Sequence, residues 1–151
     1  MEVVIREATI NDHLVIVDFQ MAMALETEGL KLERNVLSDG VKAVLTKDRG
    51  AKYYIAEMDG VIVAMLMITL EWSDWRNSWV WWIQSVYTKP GFRGKGIFKK
   101  LYSHIVDLVE RAEDVVGIRL YVDKRNLNAQ KVYTSLGMNG DHYTTYEWMK
   151  K

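Results

Sequence analysis

An Asp59-Gly60 pair stands between two runs of mostly apolar residues, Tyr53 to Met58 and Val61 to Leu70. Asp and Gly tolerate the positive φ angles that a two-residue turn requires, and such a pair between apolar runs is among the strongest hairpin signals. The two runs are therefore predicted to be antiparallel neighbours. This hairpin commits the chain to a β-sheet, against which the remaining elements have to pack.

The segments around the hairpin alternate between strand and helix patterns. The predicted order is βααβββαβαβ, which indicates an α/β (α+β) fold with a mixed sheet and helices on both faces. Glu71 to Asn77 is predicted to connect the hairpin to its third strand. The other predicted elements are a strand at Val3 to Arg6, a helix from near Asp12 to Gly29, a helix at Val36 to Leu45, a strand at Ser78 to Thr88, a long amphipathic helix from Gly94 to Ala112, a strand at Val115 to Val122, a helix at Asn126 to Leu136 ending at Gly137, and a last strand at Tyr143 to Met149.

Length and charge limit the possible functions. The 151 residues, 49% of them hydrophobic, suit one domain over residues 1–151. Twenty basic and twenty acidic residues give a net charge of zero, which argues against a nucleic-acid or membrane partner. The longest apolar run, Val61 to Leu70, is about half of the ~20 residues that a membrane-spanning helix needs. The chain has no cysteine, which excludes disulfides and favours a cytoplasmic location.

The stretch YTKPGFRGKGIFKKLY, residues 87–102, places glycines between a predicted strand and the long helix. Free backbone N–H groups and the helix dipole make such a helix start an anion site. Arg93, Lys95, Lys99 and Lys100 add positive charge, which opposes the dipole unless an anion is near. The pattern favours a bound phosphate group, although a solvated basic helix end is the competing interpretation.

Two common phosphate loops do not fit this stretch. A P-loop needs Ser or Thr after Gly-Lys, and here Gly96 and Ile97 follow Gly94-Lys95. A dinucleotide-binding loop needs a third glycine where Lys99 stands. Nucleotide hydrolysis and dinucleotide binding are both excluded on these grounds.

The chain instead resembles the GNAT N-acetyltransferase superfamily. The residues from Arg93 to Phe98 are similar to the family's Gln/Arg-x-x-Gly-x-Gly/Ala loop, with Phe98 in the position of the usual small residue. A second stretch, NLNAQKVYTSLGM at residues 126–138, is similar to the family's Asn-x-x-Ala-x-x-x-Tyr-x-x-x-Gly-Phe pattern. The resemblance covers essentially the whole chain, and it implies a GNAT-like fold with acetyl-CoA as cofactor.

The resemblance also implies where acetyl-CoA binds. Val86, Tyr87 and Thr88 would offer backbone groups to the thioester and the pantetheine arm, and Asn126 and Ala129 would flank the pantetheine. The phosphates would be faced by Arg93, Gly94, Lys95, Gly96, Ile97, Phe98 and Lys99.

Tyr133 matches the family's tyrosine that protonates the departing thiolate. A phenol with a pKa of about 10 is protonated at neutral pH and can supply that proton. Packing on the sheet is the alternative role for this ring. The strand position that often carries a glutamate base in the family is near Trp82, so Glu71 and Asp74 are the remaining base candidates, unless they are simply surface residues of a turn.

Five of the six tryptophans lie in EWSDWRNSWVWW, residues 71–82. Alternation along the third strand predicts that Trp79 and Trp81 face one side of the sheet and Trp82 and Gln84 the other. Trp72 and Trp75, in the predicted connection, are interpreted as lining a substrate pocket together with Trp82 and Gln84. Glu28 and Glu26 are interpreted as bordering the mouth of that pocket. An aromatic and acidic pocket suits an amine through cation–π contacts and charge pairing.

The predicted function is transfer of an acetyl group from acetyl-CoA to a primary amine of a small molecule by direct attack. Without cysteine, an acyl-cysteine intermediate is excluded. The alternatives are a non-catalytic acyl-CoA sensor and transfer to a protein or peptide amine. The histidines are scattered at positions 13, 104 and 142, so no metal is expected. A homodimer is possible.

Overall fold

A computed structural model describes residues 2–46 and 49–151. The order of its elements follows the prediction up to the fourth helix. The elements are β1 (Val3–Glu7), a 3-10 turn (Ile10–Asp12), α1 (His13–Glu28), α2 (Arg34–Thr46), β2 (Ala51–Met58), β3 (Val61–Ser73), β4 (Ser78–Thr88), α3 (Ile97–Arg111), β5 (Val115–Arg119) and α4 (Leu127–Ser135).

The five strands form one mixed sheet in the order β1-β2-β3-β4-β5. The first three pairings are antiparallel, and β4 and β5 run parallel. The predicted hairpin is confirmed, because Met58 pairs with Val61 across Asp59 and Gly60, whose φ angles are 51° and 78°. Two positive φ angles in a two-residue turn match the twist of the strands that it joins.

Helices cover both faces of the sheet, as predicted. On one face, α1 and α2 pack in a buried cluster that includes Tyr53, Ile55 and Met65. Tyr54 points to the opposite face, where its ring lies 5.8 Å from the ring of His104 in α3. α3 buries Ile97, Leu101 and Ile105, which recur at intervals of four residues on one side of the helix.

The predicted connection from Glu71 to Asn77 is wrong in its first half. β3 continues to Ser73, because Leu70 and Trp72 pair with Trp81 and Trp79 across the ladder. Cross-strand aromatic and apolar pairs stabilise a ladder, so the two strands stay together to the end of the tryptophan stretch. Only residues 74–77 remain as the turn.

By its internal contacts the chain divides into two compact units, Met1–Arg119 and Leu120–Lys151. The second unit contains α4, which ends just before Gly137 at a φ of 89°, as the sequence predicts. The predicted last strand, Tyr143 to Met149, is wrong, since residues 139–151 form neither helix nor strand. A strand needs a neighbour for its backbone hydrogen bonds, and the described part of the second unit offers none.

The predicted fold class is nevertheless confirmed. The sheet is mixed, the helices lie on both faces, and the nine strands and helices of the described residues follow the first nine positions of the predicted order. Within residues 2–46 and 49–151, no helix combines the length and the apolar character that crossing a bilayer requires.

Candidate active site

β4 loses its parallel neighbour half-way along its length. β5 pairs with β4 from Trp79 to Trp82, where the partner is Arg119, and ends there. Among the strands that the structure describes, none continues this pairing along Ile83 to Thr88. The N–H and C=O groups on this edge of β4 are therefore placed where an extended ligand can meet a strand edge.

A β-bulge interrupts β4 in the same region. Met67 pairs with Gln84 and Met65 pairs with Tyr87, so β4 has one residue more than β3 across this interval. Ser85 has a φ of 55°, in the left-handed region that a non-glycine residue seldom occupies. A bulge bends the strand and re-aims its backbone groups. No residue type in this stretch signals the bulge, and the sequence did not predict it.

The glycine turn leads directly into α3. Gly91, Gly94 and Gly96 have φ angles of 88°, 74° and 76°, and a Cβ atom added to any of them would meet nothing within 4 Å. The turn thus needs glycine for its backbone conformation and not for space. Gly96 is the N-cap of α3 and has no side chain to accept a hydrogen bond from the first turn.

The first turn of α3 has the chemistry of an anion site. It contains no acidic residue, and Lys99 and Lys100 are both exposed. The leading N–H groups of a helix have no carbonyl partner within the helix and carry the positive end of its dipole. An incoming anion would meet N–H donors and lysine charges together.

Arg93 makes three contacts within the first unit. Its Nη2 donates to Glu26 Oε2 at 2.8 Å, and its Nη1 donates to Glu26 Oε1. Its Nε donates to the carbonyl oxygen of Thr88 at 2.7 Å, and the guanidinium lies 5.4 Å from the centre of the Tyr87 ring. These hydrogen bonds hold the pKa of Glu26 below its usual range and raise that of Arg93. Both groups are charged at neutral pH.

Beyond the bulge, a polar patch lies on the face of the sheet that carries Met67 and the α1–α2 cluster. Gln84 Nε2 donates to Thr69 Oγ1 at 2.6 Å, and the Thr69 register partner is Trp82. Arg119 donates to Glu71 at 2.5 Å across the intervening strand. We call this set the acceptor face; it consists of Thr69, Glu71, Trp82, Gln84 and Arg119.

The structure does not bring all the predicted acceptor residues together. Trp72 is opposite Trp79, with ring centroids 4.9 Å apart in a T-shaped contact, on the other side of the sheet from Glu71 and Trp82. Trp75 is 93% exposed at the hairpin tip, where its backbone N–H donates to the Asp74 carboxylate at 2.9 Å. The predicted opposite facing of Trp79 and Trp82 is confirmed by these pairings.

Other predicted residues lie apart from this face. Glu28 is exposed in the last turn of α1. The Phe98 ring lies 6.3 Å from that of Tyr102, one turn further along α3. Lys95 Nζ lies 5.6 Å from the centre of the Phe92 ring, so this lysine stays beside the glycine turn.

The second unit holds the remaining predicted residues on α4. Asn126 is the N-cap, and its side-chain oxygen accepts the N–H of Ala129 at 3.1 Å. The Asn-x-x-Ala spacing of the motif is thus the spacing of a helix cap and the third residue after it. Burial raises the pKa of Tyr133 above its ordinary value. Among the described residues no group of three or more potential ligands could hold a metal ion.

Comparison with known proteins decides what family this architecture represents. The sequence pattern of the acetyltransferase (GNAT) family matches residues 19–138. This chain belongs to the GNAT acetyltransferase family. It is an acyltransferase, and GNAT acetyltransferases use acetyl-CoA as their acyl donor. Comparison with curated protein sequences finds no match.

Solved structures agree with the family. A possible acetyltransferase from Clostridium difficile 630 is 43% identical, with coverage of 100% of this chain and 99% of that chain and a TM-score of 0.92. A predicted acetyltransferase from Clostridium acetobutylicum, solved with acetyl-CoA, is 20% identical, with coverage of 97% and 96% and a TM-score of 0.76. An aminoglycoside acetyltransferase from an uncultured soil metagenomic sample, in complex with sisomicin, is 13% identical, with coverage of 99% and 96% and a TM-score of 0.77. The last two likenesses concern the fold alone.

The geometry of this GNAT chain fits the cofactor of its family. A pyrophosphate group suits the N–H donors and lysines at the start of α3, and an extended amide-bearing arm suits the edge of β4. Sequence reasoning missed the Ser85 bulge and the pairing of Arg119 with Glu71. Arg119 could have been found only through the parallel register of β4 and β5, because 48 positions separate it from Glu71.

Proposed function

We propose that this enzyme transfers the acetyl group of acetyl-CoA to a primary amine of a small molecule by direct attack. The observation that carries the proposal is the pairing of two features in the first unit. β4 loses its parallel partner after Trp82, and the same strand leads through glycines into a helix start that lacks acidic residues. Acetyl-CoA, when bound, supplies an acetyl group activated as a thioester.

The residues proposed to bind the donor follow from these features. Backbone groups of Val86, Tyr87 and Thr88 hold the thioester and pantetheine on the edge of β4. The N–H groups from Gly94 to Lys99 bind the pyrophosphate, and the ammonium groups of Lys95 and Lys99 neutralise its charge. On α4, the oxygen of Asn126 is used in capping, so its amide nitrogen is the group proposed to donate to the pantetheine.

Tyr133 is proposed as the general acid. Attack by the amine breaks the thioester C–S bond and expels CoA as a thiolate, which takes one proton, while the nitrogen that becomes the amide releases one proton that restores the phenol through water. Because burial raises the pKa of Tyr133, the phenol is protonated throughout the neutral range and can give up that proton. Only the phenolic oxygen is needed for this step, so phenylalanine is the matched replacement.

The acceptor face is proposed to bind the amine. Its Glu71 carboxylate attracts an ammonium group and takes its excess proton, directly or through water, so that the amine lone pair can attack. The Trp82 ring adds a cation–π surface beside it. Asp74 is the weaker candidate, because it is exposed in the hairpin turn and lies outside the acceptor face.

The test combines calorimetric titration of acetyl-CoA with an amine panel. Release of CoA thiol is followed for aliphatic diamines, amino sugars and peptide N-termini, with wild-type protein and with Tyr133→Phe. We expect micromolar binding and turnover on a small amine, and a Tyr133→Phe variant that binds acetyl-CoA equally but has a kcat about 100-fold lower.

Three results would each contradict one part of the proposal. A wild-type protein that binds no acetyl-CoA would refute the donor site. Turnover confined to peptide amines would refute the small-molecule acceptor while leaving the donor site intact. A Glu71→Gln variant with an unchanged rate across the pH range would remove Glu71 as the base.

A further inference from the structure

The contacts of Arg93 distinguish two possible roles for it beside the proposed pyrophosphate site. An arginine that binds phosphate directly has to present its N–H groups to the ligand. Here the guanidinium is committed to a bidentate pair with Glu26, and its Nε is committed to Thr88. The geometry therefore fits a role within the protein better than direct contact with the phosphate.

The pair joins a well-anchored element to the glycine turn. α1 buries Ile16, Val17 and Phe19 in the core, and its end is fixed by Gly29, whose N–H bonds the carbonyl of Leu25. Glu26 therefore extends from the last turn of a helix that is anchored in the core. Arg93 belongs to the turn between β4 and α3, whose glycines give it conformational freedom.

The dipole of α1 makes a cation beside the Glu26 carboxylate favourable. A carboxylate in the last turn of a helix meets the negative end of the dipole, and the last turn of α1 has no basic residue. Arg93 supplies that charge from a position 67 residues further along the chain. Exposed ion pairs contribute little in general, but bidentate Arg–carboxylate geometry is the exception.

The Tyr87 ring completes the arrangement. It is buried, packs against Phe19 of α1 at a ring distance of 5.0 Å and carries the Arg93 guanidinium over its face. Arg93 thus contacts a helix side chain, a strand carbonyl and a core aromatic ring at once. Fixing all three orders the start of the glycine turn before any ligand arrives, which reduces the entropy cost of binding.

We propose that Glu26 is a positioning residue for acetyl-CoA: by holding the Arg93 guanidinium against Thr88 and Tyr87, it keeps the glycine turn in its binding conformation. This inference rests on the proposed donor site at Gly94 to Lys99. It assigns the Arg93 side chain to the support of the turn and leaves phosphate contact to the backbone N–H groups and lysines.

The two roles predict opposite results for Glu26→Gln. If Arg93 binds phosphate directly, removing the carboxylate frees the guanidinium and removes a negative charge, so acetyl-CoA binds more tightly. If Glu26 positions Arg93, the turn loosens and acetyl-CoA binds about fivefold more weakly. Under the proposal, KM for acetyl-CoA rises by the same factor, and kcat changes by less than about twofold because the reacting groups are untouched.

The experiment measures calorimetric binding of acetyl-CoA, steady-state kinetics and amide hydrogen exchange of residues 89–96 in the absence of ligand. Glu110→Gln, which neutralises another exposed glutamate, on α3, is the matched control. Faster exchange in the turn with Glu26→Gln but not with Glu110→Gln supports the proposal. In the double variant, adding Glu26→Gln to Arg93→Ala should cause little further loss.

The failure of each proposal gives a different result. Tighter or unchanged binding by Glu26→Gln, in a wild-type protein that does bind acetyl-CoA, overturns the positioning role and leaves the donor site standing. Absence of binding to the wild-type protein overturns the donor site itself. Because Glu26 is exposed at a helix end, the substituted protein is expected to fold, and its thermal midpoint verifies this.

Discussion

The end of α1 and the start of α3 both carry charges that oppose their helix dipoles. Glu26 and Glu28 lie in the last turn of α1, and Lys99 and Lys100 in the first turn of α3. At α1 the chain itself compensates the charge through Arg93. At α3 the N-cap is glycine and the first turn has no acidic residue. The charge at the end of α1 is therefore compensated within the protein, whereas the start of α3 is complementary to an external anion.

We expect the largest effect from a substitution that places a negative charge of the protein itself at the start of α3, where the ligand would otherwise supply it. Gly96→Glu places a carboxylate at the N-cap, where it takes the place of the ligand charge and repels a pyrophosphate. We expect acetyl-CoA binding to weaken about 100-fold. Calorimetric titration measures the loss.

Gly96→Ala is the matched control for that variant. It imposes the same strain at a φ of 76° without adding charge, at a stability cost of about 1–2 kcal/mol. Equal losses of affinity in both variants would show that backbone conformation, and not charge, accounts for the result.

The part-buried ion pair of Arg6 and Asp12 is a third case for the comparison, and here we expect the effect on stability and not on binding. Asp12 is 5% exposed and accepts hydrogen bonds from Arg6 at 2.8 and 2.9 Å and from the Thr9 N–H at 2.7 Å. Asp12→Asn should lower the free energy of unfolding by about 2 kcal/mol, because Arg6 loses its buried charged partner and keeps only the less buried Glu57. Chemical denaturation at neutral pH measures this change.

The same variant gives a prediction on pH. The hydrogen bond from Arg6, with those from Thr9, holds the pKa of Asp12 below its usual value. The ionised carboxylate therefore stabilises the folded state above the unfolded pKa of about 4, and this contribution is lost as the pH falls below it. Wild type and Asp12→Asn should converge in stability at acidic pH. Asp18→Asn, which breaks the exposed pair with Arg34, should change stability by less than about 1 kcal/mol at any pH.

The smallest expected effect concerns salt. Charge pairing between the exposed lysines of α3 and an anionic ligand is screened, so acetyl-CoA affinity should fall about threefold between ~0.05 and ~0.5 M salt. In Lys99→Gln the affinity should start lower and depend less on salt. A salt dependence identical in the two proteins would exclude Lys99 from the charge pairing.

Much of the fold was predictable because its signals are local. The Asp59-Gly60 turn, the four-residue recurrence along α3 and the glycine ends of α1 and α4 depend on residues close in sequence. The prediction of a last strand was wrong because strand formation also depends on residues that are distant in sequence. The aromatic and β-branched residues from Tyr143 to Met149 are a local signal, but a strand forms only where another strand supplies hydrogen bonds.

The candidate site likewise has one part that local sequence predicts and one part that it does not. The glycine turn and its lysines can be recognised from residue type and spacing, and the motif that begins at Asn126 can be recognised from its resemblance to the family pattern. The acceptor face cannot be recognised from spacing, because it depends on the register of three strands. That register brings Glu71 and Arg119 together and places Trp72 on the opposite side of the sheet from Trp82. The Ser85 bulge shifts that register by one residue and has no signature in its residue types.

The sequence by itself determined the order of the elements, the family and the chemical character of the donor loop, since each depends on residue type at fixed spacing. Only the tertiary structure decided which charges meet. Glu26 and Arg93 are 67 positions apart, and their pairing depends on how α1 packs against β4. A charge becomes a support for the fold or a contact for a ligand according to whether folding brings it a partner, and that is a property of three-dimensional packing.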